Sequence, residues 1–544
     1  MTSGPLIVQS DKTALLEVDH PQAADARHDL AIFAELERAP EHIHTYRITR
    51  LGLWNARAAG HDSDFVLGVL DKYAKFAVPG SVRADITETM GRYGRLVIQR
   101  GEDGELELFS TDRAILLEAS RHRKISELLD GPISNEAFRI QPWARGQVKQ
   151  ELLKLGWPAE DFAGYAEGTP HEIDLLQGEW AIRNYQTQAV EKFWAGGSGV
   201  VVLPCGAGKT IVGAAAMAVA KTNTLILVTN TVSARQWKSE LLKRTTLTED
   251  EIGEYSGSLK EVKPVTIATY QILTTKRKSE YAHLALLNAN DWGLIVYDEV
   301  HLLPAPIFKM TADLQARRRL GLTATLVRED GKEGDVFSLI GPKRFDAPWK
   351  EIEAQGYIAP AACFEVRVDM QDEERLNYAI ASQDERYRIA ATSPIKIPVI
   401  TALMNKHKGE PTLIIGQYLD QIHAVSGALK VPEITGETPI DERERLFDEF
   451  RTGKINTLVV SKVANFSIDL PEASVAIQIS GSYGSRQEEA QRLGRLLRPK
   501  SDGRSASFYT LISRDTVDQD FAQNRQRFLA EQGYSYEIID AHDL

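Results

Sequence analysis

The chain has 544 residues, 43% of them hydrophobic and 26% charged, with a formal net charge of −12 at pH 7. That length supports three or four packed domains of about 150 residues, and the lack of low-complexity tracts or internal repeats excludes a disordered or solenoid protein. Two cysteines, Cys205 and Cys363, exclude a disulfide framework, a zinc ribbon and a four-cysteine iron–sulfur cluster within the chain, and point to a reducing, cytoplasmic setting.

The start at Met1 lacks the basic and apolar regions of a secretory signal, and no stretch nears the ~18 apolar residues that cross a bilayer, so no membrane partner is expected. The acidic balance argues against a protein that coats DNA by bulk positive potential. It leaves room for a motor that grips phosphates inside one cleft with amides, hydroxyls and a few cations.

In chain order, residues 64–75 show helical periodicity, 95–98 alternate like a strand, 105–110 form a second strand, and Asp112 is placed to cap a helix running to 123. A strand at 137–141 and a helix at 145–155 complete a small strand-helix-strand-helix unit without a catalytic signature. The polar, Gly/Pro-bearing stretch 163–177 reads as a linker. Beyond it, β-rich runs at 199–203, 224–229, 265–269 and 294–297 alternate with helical stretches. A second series begins near residue 361 and includes 412–416, 457–461, 475–480 and 507–512. Such alternation is the pattern of parallel sheets covered on both faces, so the expected fold class is α/β: two tandem parallel-sheet domains preceded by an α+β amino-terminal region.

The apolar run 200–203 leads directly into Pro204, Cys205, Gly206, Ala207, Gly208, Lys209 and Thr210, followed by an Ala-rich helix at 211–220. Strand, glycine loop, Lys-Thr and helix is the order of a phosphate-binding P-loop. Gly206 and Gly208 let backbone N–H groups close on phosphates at a helix N-terminus, Lys209 reaches the β and γ phosphates of ATP, and the Thr210 hydroxyl suits Mg2+. Leu203 stands where the longest form of the motif has a glycine, so the match is to the shorter form. No catalytic partner is indicated for Cys205, which serves as a small packing residue in the loop.

The strand 294–297 ends in Asp298, Glu299, Val300 and His301. An acidic pair after an apolar strand is commonly a solvated strand end. Downstream of a P-loop in the same domain, Asp298 instead suits Mg2+ held through water, and Glu299 suits a base that orients and deprotonates the attacking water. In the second domain a helical register puts Gln491, Arg495 and Arg498 on one face, where two guanidinium groups can point together into a cleft and neutralise a transferring phosphoryl group. The plainer alternative for that helix is a solvated basic face partnered by Glu488 and Glu489.

Together these residues resemble the motif set of superfamily-two helicases over about residues 180–512. Residues 182–186, with Arg183 and Gln186, are similar to the adenine-side motif, and Gly206 to Thr210 to the Walker A loop. Asp298 to His301 resemble the Walker B box, and Thr323, Ala324 and Thr325 the coupling motif, with His301 a further coupling residue. Ser461 and Lys462 with Asp469, Leu470 and Pro471 resemble the fifth motif, and Gln491 to Arg498 the sixth, in which Arg495 and Arg498 match arginine-finger positions.

The Arg328, Glu329, Asp330 run, with 460–464, 469–473 and 478–486, narrows the resemblance to the XPB/Ssl2 helicases in their bacterial form. The resemblance implies RecA-like helicase domains at 176–360 and 361–544, an XPB/Ssl2-like amino-terminal domain at 1–100, and a damage-recognition-like module with linker at 101–175. It implies an ATP-dependent 3′–5′ DNA helicase that opens duplexes in nucleotide excision repair, with ATP and Mg2+ as cofactors and single-stranded and forked DNA as partner. A repair nuclease is a candidate partner, and Arg328, Glu329 and Asp330 are implicated in strand separation. The family's thumb-like insertion is not evident, since 370–398 is short and polar and reads as a helix pair.

Candidate strand contacts at the ends of the expected strands are Thr229, Asn230, Thr269, Tyr270, Ser461 and Lys462. Trp237, at helical spacing from Leu241, reads as core rather than as a base-stacking residue. A rival function is a damage-binding switch that opens DNA upon ATP hydrolysis without processive unwinding. RNA is a further substrate reading, because such motor motifs contact mainly backbone.

Overall fold

Strands buried on both faces need helices on both sides, and the strands of the two later domains behave this way. Thr224–Val228, Val265–Thr269 and Thr412–Gly416 are buried at every position. The structure is a computed structural model of the chain. It describes all residues except 1–3, 40–41, 179, 205, 278–279, 282, 284–285, 288, 305–306, 308–310, 312–313, 316, 325–332, 348–351, 353–360, 462–472, 482–505 and 532–535.

The first of these sheets runs in the order Ile252–Tyr255, Val265–Thr269, Thr224–Val228, Leu294–Asp298, Arg318–Thr323, Gly199–Val202, Lys343–Asp346, with every pairing parallel. The second runs Glu433–Ile434, Thr457–Ser461, Thr412–Gly416, Val475–Gln478, Ala506–Ser513, Ala361–Val368, Tyr536–Asp540, again all parallel. Parallel pairing forces each connection to cross over the sheet, so all strand carboxyl ends in a domain share one edge, where ligands collect.

The amino-terminal region is α+β and divides in two. Leu6–Val8, Thr13–Glu17, Ile43–Ile48 and Ala34–Arg38 form an antiparallel sheet. The helices Arg50–Ala58 and Ser63–Tyr73 that follow are capped by Thr49 and Asp62, whose side chains accept from Gly52 and Phe65 amides. The next unit is a five-stranded sheet in the order Leu129–Pro132, Ala137–Ile140, Leu106–Phe109, Val97–Arg100, Glu160–Asp161. Asp112 caps the helix Arg113–Arg121, and Arg145–Leu155 is helical as its periodicity predicts.

A division at residue 100 would separate Val97–Arg100 from its partner strand Leu106–Phe109. The physical break lies earlier, between Met90 of the first core and Leu96 of the second. Residues 372–380 and 383–391 form the expected helix pair, each opened by a reciprocal cap, Gln371 with Glu374 and Ser382 with Glu385.

The stretch 163–177, expected as a linker, is an ordered strap on the first parallel domain. The amides of Thr169, His171 and Leu176 donate to the carbonyls of Asp291, Lys221 and Arg244, and Ile173 is buried. Gly168, at φ +75°, lies directly against Gly293, and a Cβ on either residue would overlap the other segment's backbone. The accessory unit is held beside it by Lys149, which donates to Gln315 at 3.0 Å, and Gln150, which donates to Asp335 at 2.9 Å; within the unit Asp161 fixes Lys149 and Arg145, accepting from them at 3.1 Å and 2.8 Å. No helix among the described residues is long and apolar enough to cross a membrane.

In the second domain, Lys396 and Asp518 form an ion pair at 3.0 Å with both side chains 1% exposed. Lys396 also donates to the carbonyls of Ala391 and Ile479, and Asp518 accepts from the Ser513 amide. Removing one partner strands a buried charge, so Asp518→Ala is expected to destabilise the domain by about 3–5 kcal/mol in urea unfolding, more than a surface pair would.

His44 is buried in the first sheet near Arg27, and burial, then that charge, lower its pKa to about 4. The unfolded chain therefore takes up a proton first, so stability is full above the ordinary histidine value and falls as pH drops from there towards 4. Urea unfolding should show a loss of about 2 kcal/mol between roughly pH 7 and roughly pH 5, flattened in His44→Phe.

Candidate nucleotide site

The P-loop sits at the carboxyl end of Gly199–Val202 and opens the helix Lys209–Ala220. Gly206 and Gly208 have φ of +82° and +81°, a left-handed conformation costly for side-chain-bearing residues. At Gly208 space is also short, since a Cβ would come within 2.5 Å of the Gln186 side-chain nitrogen. The adenine-side motif is laced to the loop through one atom, the Ala207 carbonyl, which accepts from Gln186 Nε2 at 2.9 Å and Tyr185 OH at 2.7 Å. Gln186 Oε1 in turn accepts from the Arg183 amide at 2.9 Å, and the Arg183 guanidinium donates to Tyr185 OH.

Lys209 Nζ lies 2.6 Å from Glu299 Oε1. Glu299 follows the strand Leu294–Asp298 with φ +50°, a strained conformation for a non-glycine residue that turns its carboxylate back toward the P-loop. Burial favours the neutral form of both acids. Burial, then the charge of Glu299, raise Asp298 to about 6, whereas Lys209 and His301 overcome burial and hold Glu299 below its usual range. One negative charge is thus held on Glu299, beside the P-loop cation.

His301 is buried, with Nδ1 2.6 Å from Thr323 Oγ1 and 3.5 Å from Glu299 Oε2. The Ala324 amide also bonds Glu299, so the described part of the coupling motif touches the Walker B residues directly. The Thr210 hydroxyl and Asp298 carboxylate supply hard oxygen donors, the set magnesium takes when phosphates complete its shell. Among the described residues no cluster of three or more His, Cys, Asp or Glu could cage a metal.

Thr229 and Asn230 are half-buried at the same sheet edge, with Asn230 capping the helix Thr231–Arg244. Thr269 and Tyr270, expected as strand contacts, are both only 3% exposed. Thr269 caps a short helix, and the Tyr270 hydroxyl donates to the Asp298 carbonyl at 2.8 Å. Ser461 is likewise buried. Trp237 is core, as its spacing predicts, but its indole N–H donates to Asp298 Oδ2 at 2.9 Å, a role that periodicity does not reveal. Cys205, Thr325, Arg328, Glu329, Asp330, Lys462, Gln491, Arg495 and Arg498 lie outside the described residues.

Because Glu299 occupies Lys209, Glu299→Gln should leave the lysine freer for phosphate. Titration with a non-hydrolysable ATP analogue is expected to show affinity equal to or tighter than the parent, while ATP hydrolysis falls at least about a hundredfold through loss of the base.

Residues 352–543 match the ERCC3/RAD25/XPB C-terminal helicase family, and 179–328 match the type III restriction enzyme res-subunit family. Residues 6–132 match a family described as helicase conserved C-terminal domain, although here they lie at the amino terminus and outside both parallel sheets. The chain is 68% identical over 544 residues to a DNA 3′-5′ helicase XPB of Kineococcus radiotolerans, covering 100% of this chain and 98% of that protein. It is 63% identical over 544 residues to a protein of the same description in Mycobacterium tuberculosis, covering 100% and 99%. Identity is 36% over 567 residues to a general transcription and DNA repair factor IIH helicase/translocase subunit XPB of Antonospora locustae, covering 99% and 82%. With a P-loop lysine, a half-buried Asp-Glu pair and two parallel-sheet domains in one chain, and with likeness along its whole length, the protein belongs to the XPB family of helicases.

Proposed function

We propose that the protein is an ATP-driven 3′–5′ DNA helicase that opens duplex DNA, acting in nucleotide excision repair. The observation that carries this reading is the Lys209–Glu299–Asp298 constellation, in a chain 68% identical along its whole length to a protein described as a DNA 3′-5′ helicase. Lys209 engages the terminal phosphates, and its release from Glu299 frees that carboxylate to orient and deprotonate the attacking water. Thr210 and Asp298 would hold magnesium, which when bound would supply positive charge against the phosphates. Arg495 and Arg498 complete the site from the second domain as arginine fingers. Loss of the γ-phosphate then releases the two domains from each other, and a strand held across both advances.

Arg183 and Gln186 position the adenine side of the loop. His301, Thr323 and Thr325 pass the change at Glu299 towards the domain interface. Thr229, Asn230 and Lys462 contact the strand, and Arg328, Glu329 and Asp330 divide it from its complement. The amino-terminal domain and damage-recognition-like module bind the duplex, a repair nuclease acts on the opened DNA, and the protein works in the cytoplasm.

Strand displacement on 3′-tailed and 5′-tailed DNA duplexes and on an RNA duplex tests the reading. Separation is expected only on the 3′-tailed DNA, with ATP, and is lost in Lys209→Ala. Hydrolysis stimulated by DNA without strand separation would replace it with the damage-binding switch.

A further inference from the structure

Asp298 is held from two directions by elements that begin at the proposed strand-binding edge. The helix Thr231–Arg244 starts directly after Thr229 and is capped by Asn230, whose side chain accepts from the Ser233 amide at 2.9 Å. Two turns further, on its buried face, Trp237 donates its indole N–H to Asp298 Oδ2 at 2.9 Å. The indole cannot move freely, because it packs against Gly213 on the helix that opens with Lys209, where even a Cβ would overlap the ring. The second element is the helix Tyr270–Thr274, capped by Thr269, whose first residue donates its phenol to the Asp298 carbonyl at 2.8 Å.

These two bonds act on different parts of one residue. The indole sets the rotation of the carboxylate, while the phenol ties down the end of the strand that carries it. The remaining carboxylate oxygen, Oδ1, accepts from the Glu299 amide at 3.1 Å. Displacing either helix would therefore turn the magnesium-side carboxylate or shift its main chain. A nucleic-acid strand seated on residues 229–230 bears on the first turn of the helix that carries Trp237. A core tryptophan needs only some acceptor for its N–H, and a buried tyrosine likewise. That both find it on the same aspartate, from two separate helices, is the observation that calls for a function.

We infer that Trp237 and Tyr270 are positioning residues that couple strand occupancy to the nucleotide site by orienting Asp298. The inference rests on the strand-translocating reading above. Coupling of this kind is reciprocal, so nucleotide must change strand affinity by the factor by which strand changes nucleotide affinity.

The test measures the affinity of the full chain for fluorescein-labelled single-stranded DNA by anisotropy, with and without magnesium and a non-hydrolysable ATP analogue. The parent protein should show a ratio of at least about fivefold, and Trp237→Phe and Tyr270→Phe should each bring it within about twofold of one. The ratio cancels any loss of strand affinity common to both conditions, so a purely structural role, visible as a lower melting temperature, would leave it unchanged. Tyr270→Phe removes one hydroxyl and keeps the ring, which preserves the test if Trp237→Phe folds poorly. A parental ratio in both variants overturns the inference, as does a ratio of one in a parent that binds DNA and hydrolyses ATP. Failure of the parent to bind DNA at all overturns the helicase reading with it.

Discussion

Two carboxyl groups on consecutive residues, half-buried at the edge of a parallel sheet, disfavour each other's charge unless a cation stands beside them. Asp298 and Glu299 meet this constraint with Lys209, and the left-handed turn at Glu299 is the geometry that lets the second carboxylate face back to the P-loop. Other features of the first domain follow from holding that arrangement. The parallel sheet places Asp298 in register with Leu322, next to the coupling motif, and His301 bridges the pair to Thr323. The lysine and the Glu299 carboxylate satisfy each other at 2.6 Å.

The same economy of contacts appears on the adenine side. A single carbonyl, that of Ala207, accepts from both Gln186 and Tyr185, so the base-recognition motif and the phosphate loop are one mechanical unit. Gly208 permits this twice over, by its dihedral angle and by leaving room for the Gln186 amide. In the second domain the buried Lys396–Asp518 pair plays a comparable structural part, joining the ends of two strands to the helices that cover them.

Much of this was legible in the sequence where the signal is local. The Asp112 cap, the helix Arg145–Leu155 and the strand–glycine–lysine order of the P-loop depend on residues adjacent in the chain. Elements whose stability is non-local were missed. Thr13–Glu17 is a short strand whose partner Ile43–Ile48 lies well downstream, and Leu6–Val8 is held in turn only by pairing with Thr13–Glu17. Tyr536–Asp540 joins the second sheet beside a strand more than a hundred residues earlier. Trp237 has the spacing of a core residue, and its bond to Asp298 spans 61 positions, beyond any periodicity. Tyr270 read as a surface contact because it ends a strand at the ligand edge, whereas burial of its ring directs it inward. The boundary at residue 100 failed for a related reason, since Val97–Arg100 is claimed by partners on its far side, including the parallel strand Glu160–Asp161.

The strap over residues 163–177 has a mechanical consequence. Its glycine-on-glycine crossing at 168 and 293, with five main-chain bonds to the first parallel domain, leaves no slack between that lobe and the accessory unit before it. A hinge motion of the lobes would carry the accessory unit at 96–161 as fixed freight on one jaw, whereas the first amino-terminal core also packs on Ala530 of the other lobe. Whatever the freight grips is therefore displaced with the fuel-binding lobe, and lengthening this strap would convert a lever into a tether.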